Sequence, residues 1–483
     1  MFRIMTALAM AAVAMTAASA HAQGAPPAPA KAWTMPTDAE IRQILVQRID
    51  EQHQGVGIVV GVIDAHGRRI VSYGALNTGD ARPLDGRTMF EIGSMTKVFT
   101  SLLLSDMVQH GEVTLGEPVA KLLPAGTKVP ERGGKQITLI DLATHTSGLP
   151  RLPTNMAPKD PANPYADYSV AQLYQFLAGY SLPRDIGARY EYSNLGGGLL
   201  GHALSLRAGT DYGTLVRRRI AGPLGMSSTT IALTPEQKAR LAVGHDQALR
   251  PVANWDLPTL AGAGALRSDA DDMLTFIGAE LGYVKTPLAA AMKAQIEPRR
   301  PTDIPNTEVA LGWHVTTLPG GPIAWHNGGT GGYRTMMAFD PKAGVGVVVL
   351  SNAFTLAGVD DIAVHLLAGT PLALPPPPPK PPSVHHEVAV DATVLNGLVG
   401  RYQLVPQMIA EVTLQDGQLY VQLTGQGRAP VFPEAPHRVF WKVVDAQADF
   451  EVDAQGRATA MTLHQNGRDL RAPRVEHEAQ PGH

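Results

Sequence analysis

The chain has 483 residues, of which 44% are hydrophobic and 17% charged, and its formal net charge at pH 7 is −3. This composition is ordinary for a globular protein, and the near-neutral charge gives no support to nucleic-acid binding or to electrostatic attraction to a membrane. The absence of cysteine excludes disulfides, thiolate metal ligands and a lipid-bearing cysteine.

The first 22 residues have the pattern of an export signal. Arg3 precedes an apolar run rich in alanine and methionine, which ends in Ala20-His21-Ala22. The run is short for a membrane anchor and is not followed by a cluster of charges, so we expect cleavage after Ala22. The sequence therefore predicts a periplasmic or secreted protein with no transmembrane segment after signal removal.

Changes in composition divide the chain. A run of five prolines within residues 370–387 cannot pack as helix or central strand and predicts a stiff spacer. The predicted organisation, in chain order, is a signal peptide (1–22), a linker (23–35), a large domain (36–369), a proline-rich linker (370–387), a small domain (388–474) and a tail (475–483).

The sequence of the large domain predicts an α+β fold. Its first segment, TDAEIRQILVQRIDEQ, has helical periodicity, and residues 57–64 and 69–73 form a predicted hairpin that turns at His66-Gly67. Three more predicted strands lie near residues 324–352 and precede a helix at about 360–367, while residues 94–276 are mostly helix and loop. We expect one antiparallel sheet built from both chain ends, flanked by helices, with a helical insert.

The small domain predicts an all-β sheet or barrel. Strand-like residues alternate around Asp416-Gly417, a strong signal for a two-residue hairpin turn. Its aromatic residues Phe440, Trp441 and Phe450 are better explained as core than as a carbohydrate-binding face.

Ser94 and Lys97 form a Ser-x-x-Lys pair where a helix is predicted to begin. Residues at this spacing share a helix face, so the amine can act as base for the hydroxyl if its pKa is lowered. Backbone N–H groups at the helix start can also stabilise an oxyanion. The alternative is a serine helix cap followed by a solvated lysine.

Two later stretches give the pair a context. Tyr192-Ser193-Asn194 precedes an apolar helix, and a predicted strand enters a glycine-rich turn at His326-Asn327-Gly328. Together with Ser-x-x-Lys, and in this order, the motifs resemble the class C β-lactamase and penicillin-binding-protein family of serine hydrolases. The resemblance covers residues 40–367, is strongest to the D-alanyl-D-alanine carboxypeptidase/endopeptidase branch, and implies a β-lactamase/transpeptidase-like fold.

The resemblance implies roles for particular residues. Ser94 would be acylated, Lys97 and Tyr192 would share proton transfer, and Asn194 would hold the lysine and the substrate amide. The backbone N–H groups of Ser94 and Gly329 would form the oxyanion hole, and no metal or organic cofactor is required. Which of Lys97 and Tyr192 is the base stays open, since neither titrates near neutral pH unperturbed. An alternative for Tyr192 and Asn194 is a turn with an aromatic plug.

His326, Asn327 and Gly328 depart from the family pattern, which has Lys-Thr-Gly at this place. The lysine and threonine help to bind a substrate carboxylate, and a mostly neutral histidine is a weaker partner. The substitution of His-Asn-Gly for Lys-Thr-Gly does not affect the expected mechanism, but it makes the substrate class uncertain from sequence. Arg334, shortly after the turn, is a candidate for the missing charge.

Other chemically active residues have simpler explanations. His145 and Ser147 form a predicted structural turn, and His385-His386-Glu387 are predicted to be solvated rather than to bind zinc. A further set is predicted to cap a helix start: Asp269, Asp271 and Asp272.

The sequence thus predicts an exported serine hydrolase that works through an acyl-enzyme on β-lactams or D-alanyl peptides. Its predicted substrate-binding groups are Asn194, His326, Asn327, Gly328 and Gly329. One alternative is a carboxylesterase on the same scaffold, which His326 favours. Another is a non-catalytic peptidoglycan-binding protein, which the complete set of motif residues disfavours.

Overall fold

A computed structural model describes residues 33–80, 82–355, 357–373, 385–405, 408–424, 427–442, 446–465 and 468–475. The predicted export signal and the run of five prolines lie outside the described residues. The chain divides into two compact units, residues 1–376 and 377–483. No helix in the described part of the chain is both long and apolar enough to cross a bilayer.

The first unit contains twelve α-helices and twelve strands among its described residues. The helices are α1 (Asp38–Val46), α2 (Thr96–Gln109), α3 (Leu139–Ala143), α4 (Val170–Gly179), α5 (Asn194–Ala208), α6 (Tyr212–Val216), α7 (Gly222–Leu224), α8 (Pro235–Arg240), α9 (Ala261–Gly264), α10 (Ala270–Glu280), α11 (Ala289–Ile296) and α12 (Asp360–Ala368). The strands are β1 (Gly57–Asp64), β2 (Gly67–Gly74), β3 (Met89–Glu91), β4 (Glu131–Arg132), β5 (Lys135–Gln136), β6 (Arg267–Asp269), β7 (Arg300–Pro301), β8 (Thr307–Val309), β9 (His314–Leu318), β10 (Gly321–Gly329), β11 (Arg334–Asp340) and β12 (Val345–Ser351). Short 3₁₀ turns lie at Gly93–Met95 and Val119–Leu122, and π turns at Gln47–Glu51 and Arg217–Ala221.

Eight of these strands form one antiparallel sheet in the order β2-β1-β12-β11-β10-β9-β8-β7. Strands from the two chain ends pair directly, as Ile58 of β1 faces Ser351 of β12. The predicted sheet from both chain ends is therefore confirmed, as is the largely helical insert. The sequence did not predict β7, β8 and β9, which extend the sheet beyond β10.

The two faces of the sheet pack against different helices. Ile58, Val60 and Val62 join a core with α1 and α12, whereas Val59 and Ile63 join the larger core that contains α2 and α10. This alternation follows from the strand period of two residues. Full burial of each such side chain stabilises the fold by about 1.5–3 kcal/mol, so the strand is fixed from both sides.

Side chains cap the helices that flank the sheet. Thr37 and Glu40 form a reciprocal capping box at the start of α1. At α10, the Asp269 carboxylate accepts a hydrogen bond from the Asp272 N–H, which agrees with the predicted capping role. Such caps satisfy backbone donors that have no partner within the helix.

The second unit is a closed eight-stranded barrel that follows one short helix, α13 (Ala392–Leu398). Its strands are β13 (Gly400–Val405), β14 (Met408–Gln415), β15 (Gln418–Leu423), β16 (Ala429–Ala435), β17 (Arg438–Phe440), β18 (Ala446–Val452), β19 (Ala458–Gln465) and β20 (Arg468–Val475). The predicted hairpin turn lies between β14 and β15, where Asp416 and Gly417 have φ values of 50° and 77°. The barrel confirms the all-β prediction except for α13.

Aromatic residues of the barrel lie in or against its core, and one histidine joins them. Phe440 and Phe450 are buried, and Trp441 packs against the core that contains Phe450. The prediction that His385 is solvated was wrong. Its ring stacks on Phe440, and its Nδ1 lies 2.5 Å from a carboxylate oxygen of Glu434 on β16.

Candidate active site

Ser94 lies in the 3₁₀ turn between β3 and α2, against the end of β10. Gly93 makes this approach possible, because its φ is +52° and a Cβ atom there would lie 2.6 Å from the Gly329 amide nitrogen. A Cβ at Gly328 would similarly lie 2.1 Å from the Ile92 carbonyl oxygen. The glycines therefore bring the Ser94 turn and the β10 backbone together, as a shared pair of amide donors requires.

Lys97 lies on the first turn of α2 and is almost completely buried. Its Nζ lies 3.0 Å from Ser94 Oγ, 2.9 Å from Asn194 Oδ1 and 2.7 Å from the Ala263 carbonyl oxygen. Two of these partners can only accept, whereas the serine hydroxyl can donate or accept. An ammonium fits all three partners by donating to each, and a neutral amine fits them by donating to the two carbonyls and accepting from the Ser94 hydroxyl.

Burial supports the neutral form of Lys97. It lowers the pKa of the amine well below its usual value, and the positive charge of Arg151 acts in the same direction. An unprotonated amine beside Ser94 can take the hydroxyl proton.

Tyr192 lies immediately before α5, beside the lysine. The Lys97 Nζ is 4.8 Å from the centre of its ring. Burial raises the pKa of Tyr192 to about 12, although a hydrogen bond with Ser94 and the charge of Arg151 act in the opposite direction. The phenol therefore stays protonated near neutral pH, where it can donate a proton but is a poor base.

The start of α5 fixes Tyr192 and Asn194 on either side of a cap. Ser193 Oγ accepts a hydrogen bond from the Gly196 N–H and donates one to the Pro150 carbonyl. The Asn194 amide oxygen faces Lys97, and its Nδ2 donates to the Tyr165 hydroxyl at 3.2 Å. The motif thus places an aromatic donor and an amide beside one amine.

His145 belongs to the site as well as to a turn. Its Nδ1 accepts a hydrogen bond from the Ser193 N–H at 3.2 Å, and its ring lies 4.6 Å from that of Tyr192. The predicted turn is present, since Ser147 Oγ accepts from the Leu149 N–H. The sequence interpretation missed that this turn supports Tyr192, because nothing local indicates what the ring contacts.

His326 is fully buried and faces other basic groups. Burial, together with nearby His314 and Lys97, lowers its pKa well below the usual histidine value. Its ring lies 5.3 Å from that of His314 and 6.3 Å from that of Tyr192. His326 is therefore neutral near neutral pH and does not supply the charge of a lysine.

Asn327 and Arg334 converge on Asp360, the first residue of α12. The Asn327 Nδ2 donates to an Asp360 carboxylate oxygen at 2.6 Å, and Arg334 Nη2 lies 3.5 Å from the same oxygen. Burial raises the pKa of Asp360, an effect that the Arg334 charge opposes. The Arg334 guanidinium, the predicted replacement for the lysine charge, is therefore paired with a carboxylate of the protein. Asp360 was not among the predicted site residues.

The contact at Gly93 supports a test of the Ser94 turn. Gly93→Ala should lower kcat/KM about 10²- to 10³-fold, because the new Cβ displaces the Gly329 N–H that faces the turn. The measurement is turnover of a chromogenic β-lactam or ester, with thermal unfolding to establish that the variant folds. Gly116→Ala, at an exposed glycine with open space around its Cβ position, is the matched control. Unchanged turnover in Gly93→Ala would contradict the proposed close approach.

The fold and the paired serine and lysine are those of a class of protein that comparison of the sequence with known protein families identifies. A family model described as Beta-lactamase matches residues 42–370, and a model described as Domain of unknown function (DUF3471) matches residues 385–476. The protein is a serine hydrolase with a β-lactamase/transpeptidase-like fold. The chain belongs to the β-lactamase family.

Three similar proteins illustrate the relationship. The D-alanyl-D-alanine-carboxypeptidase/endopeptidase AmpH of Escherichia coli K12 is 33% identical over 343 residues, which are 66% of this chain and 87% of that protein. Penicillin-binding protein 4* of Bacillus subtilis is 26% identical over 461 residues, 90% of this chain and 98% of that protein. A crystal structure of a β-lactamase/D-alanine carboxypeptidase from Yersinia pestis, complexed with citrate, superposes with a TM-score of 0.58. It has 27% identity and covers 68% of this chain and 100% of that chain.

Proposed function

We propose that the protein is an exported hydrolase in which Ser94 is acylated by a β-lactam or a D-alanyl peptide. The observation that carries the proposal is the 3.0 Å distance between Ser94 Oγ and a buried Lys97 Nζ whose other two partners are carbonyl oxygens. Burial lowers the pKa of this amine, and once it is neutral, with its two N–H groups on the carbonyls, its lone pair can accept the hydroxyl proton.

The proposed reaction has two halves. Ser94 Oγ attacks the carbonyl carbon as its proton passes to Lys97, and the new oxyanion accepts hydrogen bonds from the Ser94 and Gly329 N–H groups. The C–N bond then breaks, and Tyr192 donates a proton to the leaving nitrogen and is reprotonated from Lys97. A water molecule hydrolyses the acyl-enzyme by the reverse proton transfers. The reaction requires no metal or organic cofactor.

Of the two proposed substrate classes, D-alanyl peptides have additional support. The relative with 33% identity is named a D-alanyl-D-alanine-carboxypeptidase/endopeptidase. An exported location, proposed from the N-terminal signal pattern, would give access to cell-wall peptides. Asn194 and the end of β10, with His326, Asn327, Gly328 and Gly329, are the proposed substrate-binding groups.

The domain limits are also part of the proposal. We place the catalytic domain at residues 36–369 and the small domain at 388–474, with the proline-rich linker between them. The family matches at 42–370 and 385–476 support this division.

A carboxylesterase is the second candidate, and the neutral, buried His326 favours it. An ester needs no cation to bind its acyl group, whereas a peptide with a free carboxylate binds more tightly where a cation faces that carboxylate, and His326 does not supply one at β10. A non-catalytic binding protein has less support. A buried amine with a lowered pKa is costly to the fold, and binding alone gives no reason to keep it beside Ser94.

The mass of the intact protein during incubation with benzylpenicillin separates these candidates. We expect a penicilloyl adduct that persists, which is the behaviour of a penicillin-binding peptidase with slow deacylation. Rapid loss of penicillin without a lasting adduct would indicate a β-lactamase. If penicillin is neither bound nor consumed while p-nitrophenyl esters are cleaved, the esterase replaces the peptidase proposal. No reaction with either reagent would contradict an acyl-enzyme hydrolase.

A further inference from the structure

We propose that Arg151 binds a carboxylate on the leaving group of the substrate and so directs the enzyme to free C-terminal ends. The inference rests on the proposed function and assigns a specificity-determining residue to it. Three features support it. Arg151 is an exposed residue whose guanidinium lies over the Tyr192 ring, and its backbone is hydrogen-bonded to the start of α5. The neighbouring basic side chains are either uncharged or already paired.

The backbone of Arg151 is fixed to the catalytic motif. Its carbonyl oxygen accepts hydrogen bonds from the N–H groups of Asn194 at 3.0 Å and Leu195 at 3.2 Å. The preceding residue, Pro150, accepts from the Ser193 hydroxyl at 2.6 Å. The side chain of Arg151 therefore starts from a defined position beside the site.

The guanidinium faces the active site and has no acidic partner. Its Cζ lies 5.3 Å from the centre of the Tyr192 ring, and the residue is exposed. Within the described residues, no carboxylate lies within ion-pair distance of it. Nearby acids have other partners, since Glu191 pairs with Arg184 and Asp303 with Arg189. The donors of Arg151 thus remain available to a planar anion such as a carboxylate.

The other basic groups of the site do not offer a free positive charge to a substrate carboxylate. Lys97 is buried and occupied by three partners, and Arg334 is paired with Asp360. His326 and His314 are buried, and burial lowers the pKa of each; that of His314 falls to about 4. Near neutral pH, Arg151 is therefore the available positive charge among the basic groups around Ser94.

The position of Arg151 indicates which part of the substrate carries the anion. Tyr192 is the proposed proton donor to the leaving nitrogen, and Arg151 lies against its ring. A carboxylate next to that nitrogen, as in a C-terminal amino acid, would be within reach of the guanidinium. The positive charge that the family pattern places on the strand would here come from the loop before α5.

Matched substrates test the assignment on the full chain. The first pair is an N-acyl-D-alanyl-D-alanine and its C-terminal amide. The second pair is a 3-carboxyphenyl ester and its 3-carbamoylphenyl analogue, which place the same charge difference on an ester leaving group. Arg151→Ala should raise KM about 10-fold or more for the carboxylate of each pair and less than about 2-fold for the neutral member. Added salt should raise the wild-type KM for the carboxylate, and much less that of the variant.

Two further variants sharpen the result. Arg151→Lys should recover part of the loss, because it restores the charge without the planar fork. Arg218→Ala removes another exposed arginine and should leave both members of each pair unchanged. Equal changes for the charged and neutral members, or no change for either, would overturn the role of Arg151. If the wild type cleaves esters but not the peptides, the proposed peptidase function fails while the ester pair still decides the role of Arg151.

Discussion

Ser94→Ala should lower turnover of any accepted substrate by about 10⁴-fold or more and should abolish the covalent adduct. The hydroxyl is the proposed nucleophile, and among the described residues that hydrogen-bond to Lys97 Nζ it is the group that can form an ester, since the other partners are an amide and a backbone carbonyl. The measurement combines steady-state kinetics with the mass of the protein after incubation with benzylpenicillin or a slowly deacylating ester.

Ser147→Ala is the matched control for this result. Ser147 is buried and follows His145 by two residues, but its hydroxyl accepts a hydrogen bond from the Leu149 N–H within a turn. This variant should keep the adduct and most of the activity, with at most a modest loss of stability. An adduct that survives in Ser94→Ala but disappears in Ser147→Ala would reverse the assignment.

The sheet and the barrel hairpin could be predicted because their signals are local. Alternating apolar residues define β1, and Asp416-Gly417 supplies the turn conformation that a two-residue hairpin needs. By contrast, β8 has three residues, and it exists because β9 offers hydrogen-bonding partners at the correct register. Short edge strands of this kind have too little sequence of their own to be recognised.

Physical reasoning could predict only those contacts of the candidate site that join residues about one helical turn apart. Ser94 and Lys97 come together because three residues are close to one helical turn. Asn194, 97 residues beyond Lys97, was placed by resemblance to a family rather than by physical reasoning. The Ala263 carbonyl could not be predicted, because a backbone oxygen leaves no mark on residue type.

One wrong prediction and one omission have a common cause, which is that each histidine was interpreted from its immediate neighbours. His385 follows a proline-rich stretch, yet its partner Glu434 lies 49 residues later, on a strand of the barrel. His145 lies in a turn, yet its ring contacts Tyr192. Long-range contacts decided the environment of both side chains, and a reading limited to one segment cannot include them.

Burial makes the active site a place where basic groups are kept uncharged. The pKa values of Lys97, His145 and His326 are all lowered, with burial as the largest cause of each shift. Each group also lies near the others, so a proton on one would repel a proton on the next. Burying these basic groups costs free energy of folding. A reaction that needs an unprotonated amine explains why the site nevertheless keeps this arrangement.

Lys97→Met should lower kcat/KM about 10³-fold and remove the acidic side of its pH profile. In the wild type, kcat/KM should rise with pH as the amine loses its proton, at a pH well below the usual lysine value because burial lowers the pKa. Tyr192, with a pKa of about 12, stays protonated throughout and cannot replace the base. The measurement is kcat/KM from about pH 5 to about pH 9.

Thermal stability distinguishes this loss from unfolding. Since the folded-state pKa of Lys97 is lowered, the folded protein binds fewer protons than the unfolded chain below the usual lysine pKa, and stability falls as the pH falls towards the lowered value. Methionine removes this penalty and keeps the length of the side chain, so the Tm at neutral pH should hold or rise. Lys121→Met, at an exposed lysine, should change neither kcat/KM nor its pH profile. A Lys97→Met enzyme that keeps the acidic limb would assign the base to another group.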